Sequence, residues 1–483
     1  MSQRQIGTVF VAEGKLTALE ADHVLRQDWT KVSRGPRRAE SWAVNDMALV
    51  SDPADDPDAG PCFQSLPSSG HLPTWHAPRI SDHMAREAKK TPKRAAAHAS
   101  IRQTVLMNAM GRTLATFEAV RTALTDSRGA GDPSTTTQIT GITGYIGFQT
   151  LIIALERGYR VRGAIRNEES IASLRNKSKL IAQSHADGAL EFAIIPDFLK
   201  KGEISKHLHG ITVVVHLASP LALHAEDYER DIIEPAVDMV QMILEAAAHS
   251  VSVQRVVVTS SCVTLIPFEW NFKPDSERLY TDINSSPTKP YNSPMEAYWA
   301  SKALARMATR DFVKDEKPGF DIVSLLPSVV IGPDTRIAID GKPGELTVEA
   351  RGAVMASALD PSLKSVFPFV GVPVHVRDVA RAHVDAVDRA LVAGNREYIL
   401  SSDTPDGVIW DRDTKAVARK HFPKQVQSKA LPLEGTLETI EWRLDATEKE
   451  GAFGWRMTSF EDTMREMITQ YLQLKDNIKS STS

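Results

Sequence analysis

The pattern of apolar and polar positions changes character near Gly131-Asp132-Pro133-Ser134. Beyond that point, short β-rich runs alternate with stretches of helical period. The runs predict strands over 136–140, 160–165, 190–195, 211–217, 255–260 and 321–326. Between two of them, Ile233, Val237, Val240, Leu244 and Ala247 recur on one stripe of 227–248, which predicts a sheet-covering helix. Phe148 to Arg157 predicts another, stopped by Gly158. Strands alternating with helices at this spacing predict βαβ units. The expected fold class is therefore α/β, with a Rossmann-type doubly wound parallel sheet.

Upstream the pattern is different. Residues 51–80 are rich in Pro, Asp, Ser and Gly, as in Ser51-Asp52-Pro53-Ala54-Asp55-Asp56-Pro57. Such a segment buries too little apolar surface to offset the entropy of ordering it. One stretch departs from this: Ile101, Val105, Leu106, Leu114, Phe117, Val120 and Leu124 predict an amphipathic helix over 97–125. Residues 1–132 are read as a largely disordered extension carrying that helix and no chemistry.

Composition narrows the classes. At 483 residues and 42% apolar, the chain can bury a large core. Its net charge is -4, and the only dense basic run, Lys89-Lys90 to Lys93-Arg94, reads as a solvated tail, so no nucleic-acid partner is expected. The two cysteines, Cys62 and Cys262, exclude a disulfide framework and a multi-cysteine metal site, and a reducing, cytoplasmic compartment is expected. Apolar runs such as Ile211 to Leu217 fall far short of the ~20 residues of a membrane helix. The early acids Glu13, Glu20 and Asp22, with no apolar run beside them, predict neither a signal nor a transit peptide.

The turn after the first predicted strand reads Thr140-Gly141-Ile142-Thr143-Gly144-Tyr145-Ile146-Gly147. Gly141 allows a tight strand-to-helix turn, Gly144 lets backbone approach a pyrophosphate, and Gly147 lets helix and strand pack closely. Tyr145 and Ile146 begin a helix whose free N–H groups would face the anion. The second strand ends at Arg166, where an acid would bond the ribose hydroxyls of NAD. An arginine instead suits a 2′-phosphate, so NADP(H) is expected, with Glu168 and Glu169 keeping NAD open.

Tyr298 and Lys302 stand four apart in Ala297-Tyr298-Trp299-Ala300-Ser301-Lys302, one turn apart on one helix face. A cation beside a phenol favours the phenolate, and such a tyrosine can give a proton to a carbonyl oxygen while hydride reaches the carbon. The buried run Arg255-Val256-Val257-Val258-Thr259-Ser260-Ser261 ends in hydroxyls at its carboxyl end, the ligand side of such sheets. Ser261, or failing it Ser260, is the expected hydrogen-bond donor to the substrate carbonyl.

Together these pieces resemble the extended short-chain dehydrogenases, and within them the dihydroflavonol reductases and fungal ketoreductases and aldehyde reductases. The resemblance covers about 135–475. It implies that Asp197-Phe198 meets the adenine, that His216-Leu217-Ala218-Ser219-Pro220 lies beside the cofactor, and that Leu326 to Pro333, with Pro327 and Val330, lies near the nicotinamide. Lys302 would hold the nicotinamide ribose. His375-Val376-Arg377-Asp378-Val379-Ala380 is read as a strand-to-helix junction capped by Asp378. The implied organisation is an NADP-binding domain with the catalytic residues at 133–330, a mainly substrate-binding region at 331–475 that returns partly to it, and a tail at 476–483.

The implied reaction is NADPH-dependent reduction of a small-molecule ketone or aldehyde by a monomer or homodimer. Segments 219–224, 262–292 and 329–370, with Phe268, Trp270 and Trp299, are expected to shape the pocket, although a Phe or Trp there serves just as readily as ordinary core. Two other readings use the same residues: a nucleotide-sugar epimerase or dehydratase that keeps NAD bound, and a non-catalytic dinucleotide sensor. Three features depart from the family, one being that residues 1–132 have no counterpart in its pattern. The strand Thr135-Thr136-Thr137-Gln138-Ile139-Thr140 is unusually polar, so its side chains need partners or cost stability. The second cation expected after Arg166 is matched only loosely, by Arg175 or Lys177.

Overall fold

In the computed structural model, residues 9–11, 14–16 and 135–482 are described, apart from 221–224, 273–278, 281–286, 339, 360–367 and 403–405. The chain divides into two units, Met1–Arg128 and Gly129–Ser483. In the first, Val9–Val11 pairs antiparallel with Gly14–Leu16. The expected helix over 97–125 lies outside the described residues.

The second unit is built on seven parallel strands: β1 Thr136–Thr140, β2 Arg160–Ile165, β3 Leu190–Ile194, β4 Val213–His216, β5 Arg255–Thr259, β6 Asp321–Pro327 and β7 Arg396–Leu400. Their order across the sheet is 3-2-1-4-5-6-7. Strands β1 to β3 run out one way and β4 starts on the other side of β1, so the direction of winding reverses between β1 and β4. A crevice at the carboxyl ends of those two strands is where ligands bind in such sheets.

The helices cover both faces. On one, α1 Tyr145–Glu156 packs with the helix Val376–Asp385 over Ile139, Val215 and Val257. On the other, α2 Glu234–Ala248 and α3 Pro294–Glu316 pack together, and Val240, Ile243, Leu244 and Ala305 meet Val214, Val256 and Ile322. Apart from the polar β1, the central strands are largely apolar on both sides because both sides are covered. A π-turn, Glu229–Ile233, leads into α2, so the predicted helix over 227–248 forms in two parts.

Six strands lie where the pattern put them; β7 was missed. Its first residues, Arg396 and Glu397, break the apolar run, yet Tyr398 and Leu400 are buried. Glu397 tolerates its place because Arg306 and Arg310 of α3 both donate to it, at 2.6 and 2.5 Å. The junction at Asp378 also differs from expectation. His375 is the cap, its Nδ1 accepting from the Arg377 N–H at 3.0 Å, while Asp378 accepts from the Thr458 backbone and ties the helix to the C-terminal segment.

Phe453 and Trp455 of the C-terminal segment return to the sheet core, while other parts of it build short strand pairs and a core of their own. Val329–Ile331 pairs with Pro373–His375 and Phe369–Val370 with Thr439–Ile440. Trp410, Met464, Met467 and Ile468 form a separate core there.

Candidate active site

Gly141 to Gly147 form the turn between β1 and α1. Gly141 has φ +73°, and a Cβ on it would stand 2.9 Å from the Ala218 nitrogen of the neighbouring strand end. A Cβ on Gly147 would fall 2.1 Å from the Gly141 carbonyl oxygen. Side chains are excluded from both positions by backbone, which leaves an open cradle over the first turn of α1. The N–H groups of that turn have no carbonyl one turn back to bond. The site thus offers what a pyrophosphate requires, a side-chain-free approach and directed donors.

Thr140 fixes the other wall. Its Oγ1 accepts from the Leu217 and Ala218 N–H groups, both at 3.1 Å, and lies 3.0 Å from His216 Nδ1. With two donors already on the oxygen, its own proton goes to His216, so Nδ1 is the acceptor and the ring carries its proton on Nε2. Burial holds His216 neutral, its pKa lowered to about 3, with Lys302 adding to the effect. The polar end of β1 therefore has a use: it stitches β1 to β4 at the crevice.

The other residues expected around a dinucleotide fall at strand ends along this crevice, with differing exposure. Arg166, just past β2, is exposed and makes no ion pair among the described residues. Lys177 is engaged elsewhere, donating to the Arg336 carbonyl at 3.1 Å. Asp197 is exposed and caps the Leu199 N–H at 2.8 Å. The Phe198 ring is buried in the core, so only its backbone faces outward. Tyr145 also turns away: its hydroxyl donates to the Gly332 carbonyl at 2.7 Å and its ring lies under Arg351, 4.0 Å from the guanidinium. Burial raises that phenol's pKa far above its usual range. Ile146 packs on the core, so Tyr145 and Ile146 can serve an anion only through their backbone. Pro327 ends β6 beside Leu400, and Val330 pairs with Val374.

Ser261, Tyr298 and Lys302 converge. Ser293 caps α3 by accepting from the Glu296 N–H at 3.1 Å, and Pro294 occupies its first turn, which sets where Tyr298 and Lys302 stand. Ser261 caps the short turn Cys262–Leu265 and hydrogen-bonds Tyr298. Ser261 is thus the serine at the tyrosine; the Ser260 hydroxyl has no partner among the described residues. Lys302 Nζ donates to Ser219 Oγ at 2.8 Å and lies 5.8 Å from the Tyr298 ring centre.

The charge balance corrects one expectation. Lys302 was expected to lower the Tyr298 phenol, but burial dominates and raises its pKa to about 12. Cys262 adds to the rise and the Ser261 hydrogen bond opposes it. The ammonium is turned to Ser219, and burial lowers Lys302 itself to about 8. Trp299 is also not a pocket wall. It is buried, its indole N–H donates to Ile266 at 3.2 Å, and it packs edge-on against Phe268 and Trp442. Phe268 and Trp270 pack partly buried against the same cluster. Parts of the three pocket segments, 221–224, 273–278, 281–286 and 360–367, lie outside the described residues.

The sequence profile of the NAD dependent epimerase/dehydratase family matches residues 138–399, from β1 to β7. A ketoreductase of Cercospora nicotianae is 31% identical over 351 residues, covering 70% of this chain and 95% of the relative. The chain belongs to the NAD dependent epimerase/dehydratase family. An aldehyde reductase of Sporidiobolus salmonicolor is 32% identical over 206 residues, 40% of this chain and 57% of its own. In fold, this family member resembles the yeast methylglyoxal/isovaleraldehyde reductase solved with NADPH, with a TM-score of 0.58 at 22% identity, covering 71% of this chain and 99% of the other. The first 137 residues lie outside the family match.

Among the described residues no cluster of His, Cys, Asp and Glu could hold a metal, and no helix is long and apolar enough to cross a membrane.

Proposed function

We propose that this protein is an NADPH-dependent carbonyl reductase acting on a small ketone or aldehyde, with Ser261, Tyr298 and Lys302 as its catalytic residues. The observation that carries the reading is the meeting of side chains from two elements: Ser261, past β5, on the Tyr298 hydroxyl of α3, and Lys302 one turn further along α3, held against Ser219 beside the glycine cradle. Bound NADPH would supply the hydride. The chain's residues do the rest. The glycine turn and α1 hold the pyrophosphate, and Asp197 with the Phe198 backbone borders the adenine. Exposed Arg166 takes the 2′-phosphate, and Ala218, Ser219, Pro327 and Val330 border the nicotinamide half. Ser261 donates to the substrate carbonyl, and Tyr298 gives its proton to the oxygen as negative charge develops.

With its pKa raised to about 12 by burial, the Tyr298 phenol is protonated at neutral pH and so carries the proton that the reduction consumes. Lys302 near 8 remains mostly an ammonium at pH 7, able to hold ribose hydroxyls and to restore the tyrosine proton. Relatives named for ketone and aldehyde reduction support the substrate class, and fungal ketoreductases among them suit a role in secondary metabolism. The nucleotide-sugar reading is less well supported, because Arg166 stands where an acid would bond the ribose of NAD. A cytoplasmic protein, monomeric or homodimeric, completes the proposal.

The test is NADPH oxidation at 340 nm against a panel of ketones and aldehydes, with Tyr298→Phe alongside. Turnover in the parent, reduced at least ~100-fold in the variant while NADPH still quenches its fluorescence, is expected for loss of the general acid. Equal turnover in both would overturn the assignment of Tyr298. NADPH binding with no turnover on any carbonyl would favour the sensor.

A further inference from the structure

A cavity of about 20 Å³ lies between the ends of β4, β5 and β6 and helices α2 and α3. His216, Ser260, Ser324 and Lys302 line it, and Ala236 and Val240 close it from α2. Its volume suits one water molecule.

The hydrogen bonds leave room for one. His216 Nδ1 accepts from Thr140, so Nε2 carries the proton, and that buried N–H has no partner. The buried Ser260 hydroxyl has none either. The Lys302 ammonium has three N–H bonds, and Ser219 takes one. Two donors and a hydroxyl able to accept therefore border a space of one-water size. A water uses two lone pairs and two protons, so it can accept from His216 and Lys302 while donating to Ser260. Leaving buried polar groups unpaired is costly, and ordered water is their usual partner where protein supplies none.

We propose that this cavity holds one ordered water that accepts from His216 Nε2 and Lys302 Nζ and donates to Ser260 Oγ, making His216 and Ser260 positioning residues for Lys302. The consequence for Lys302 rests on its proposed place in the reductase site; the water itself does not. Because it accepts from the ammonium, the water stabilises the charged lysine. The charged and titratable groups lining the cavity are His216 from β4 and Lys302 and Arg306 from α3. From the β5 and β6 side come only Val258 and the hydroxyls of Thr259, Ser260 and Ser324, and from α2 only alanine and valine. Arg306 is already committed to Glu397 and Thr264. His216 stays neutral through the working pH range. Lys302 is then the group whose titration the water governs.

Two arms test this. A high-resolution crystal structure of the full chain should show density for one water within hydrogen-bond distance of all three atoms. An empty cavity would overturn the proposal. In the second arm, lysine Cε carbon chemical shifts follow the Lys302 titration in the parent, Ser260→Val and Ser260→Thr. Valine matches threonine in shape and volume but lacks the hydroxyl, so relative to the threonine variant the Lys302 pKa should fall by about one unit as the ammonium loses its water. Threonine keeps the hydroxyl and should leave the titration in place. The basic limb of the kcat profile should shift likewise. A valine variant that is folded and titrates like the parent would sink the idea. Both arms read out without turnover, so a failure of the reductase assignment is seen separately in the NADPH assay.

Discussion

Lys302 and Ser219 are joined by a hydrogen bond of 2.8 Å, from the ammonium on α3 to the hydroxyl just past β4. The bond spans the crevice wall and fixes where the cation stands before any ligand arrives. It also explains why Lys302 leaves the Tyr298 phenol unperturbed in charge, since the ammonium is turned toward the strand end. A lysine side chain otherwise carries substantial rotamer freedom. Ser219→Ala is therefore expected to loosen the cation without touching Tyr298. We expect kcat/KM for NADPH-dependent reduction to fall about tenfold, ~1.4 kcal/mol of transition-state stabilisation. Ser219→Thr, which keeps the hydroxyl, should recover most of it. Steady-state kinetics on the two variants checks this, and an unchanged alanine variant refutes a positioning role for Ser219.

Arg166 is exposed past β2, at the strand end where the ribose of the adenosine half binds in Rossmann folds. If it pairs with a 2′-phosphate, reversing its charge should invert the preference between cofactors. For Arg166→Glu, the ratio of kcat/KM with NADPH to that with NADH should fall about 100-fold, ~3 kcal/mol, as a charge-assisted pair becomes a repulsion. Arg166→Lys should fall between, because an ammonium binds phosphate as a point charge without the fork. A ratio unmoved in the glutamate variant would take Arg166 out of the cofactor site.

Much of this arrangement was legible before the structure. Six of the seven strands follow from short β-rich runs between helical stretches, most of them rich in Val, Ile and Leu because a parallel sheet covered on both sides buries both faces, with the threonine-rich β1 as the polar exception. The glycine turn and the Tyr298/Lys302 pair follow from local spacing alone. Features that depend on distant partners were not legible. Strand β7 is held through Glu397 by two arginines from α3, and nothing in Arg396 to Leu400 announces them. Trp299 sits next to Tyr298 in sequence, which leaves pocket and core equally open, and helical geometry turns it into the core against Trp442. The choice between Ser260 and Ser261 likewise needed the path of the chain after β5, where the strand ends at Thr259 and Ser261, two residues on, is the one whose side chain bonds Tyr298.

His216 and His383 make stability depend on pH. Both are fully buried, and their pKa values fall to about 3 and about 4, chiefly through burial. His383 is bonded at both nitrogens: Nδ1 donates to the Val379 carbonyl at 2.7 Å and Nε2 accepts from Thr259 at 2.7 Å. Between those values and the ordinary 6.5, the unfolded chain binds protons that the folded one refuses. Stability is then fully present above about pH 6.5 and is lost as pH falls toward 4. Urea midpoints measured at pH 7.5 and pH 5 should drop on acidification. His383→Gln, which keeps a donor and an acceptor, should flatten that drop. An equally steep drop in the variant would show that the dependence arises elsewhere.

Gln138 occupies a place in β1 that its neighbours reserve for apolar side chains. Along its row of the sheet it stands beside Val214, which stands beside Val256 and then Ile322. It is completely buried, and among the described residues neither its amide nitrogen nor its amide oxygen has a partner. Thr140, two residues on, earns its place by bonding across to β4; Gln138 makes no such bond. Each unpaired buried polar group costs about 1–3 kcal/mol, so Gln138→Leu, close in volume and without polar atoms, should stabilise the protein by about that much. The variant should unfold at higher urea, and its thermal midpoint should rise by a few degrees at ~2–4 °C per kcal/mol. The turnover number should not change, because Gln138 lies two residues short of the glycine turn. A loss of stability in the leucine variant would mean that a water satisfies the amide, and the polar first strand would then be a built feature of this chain.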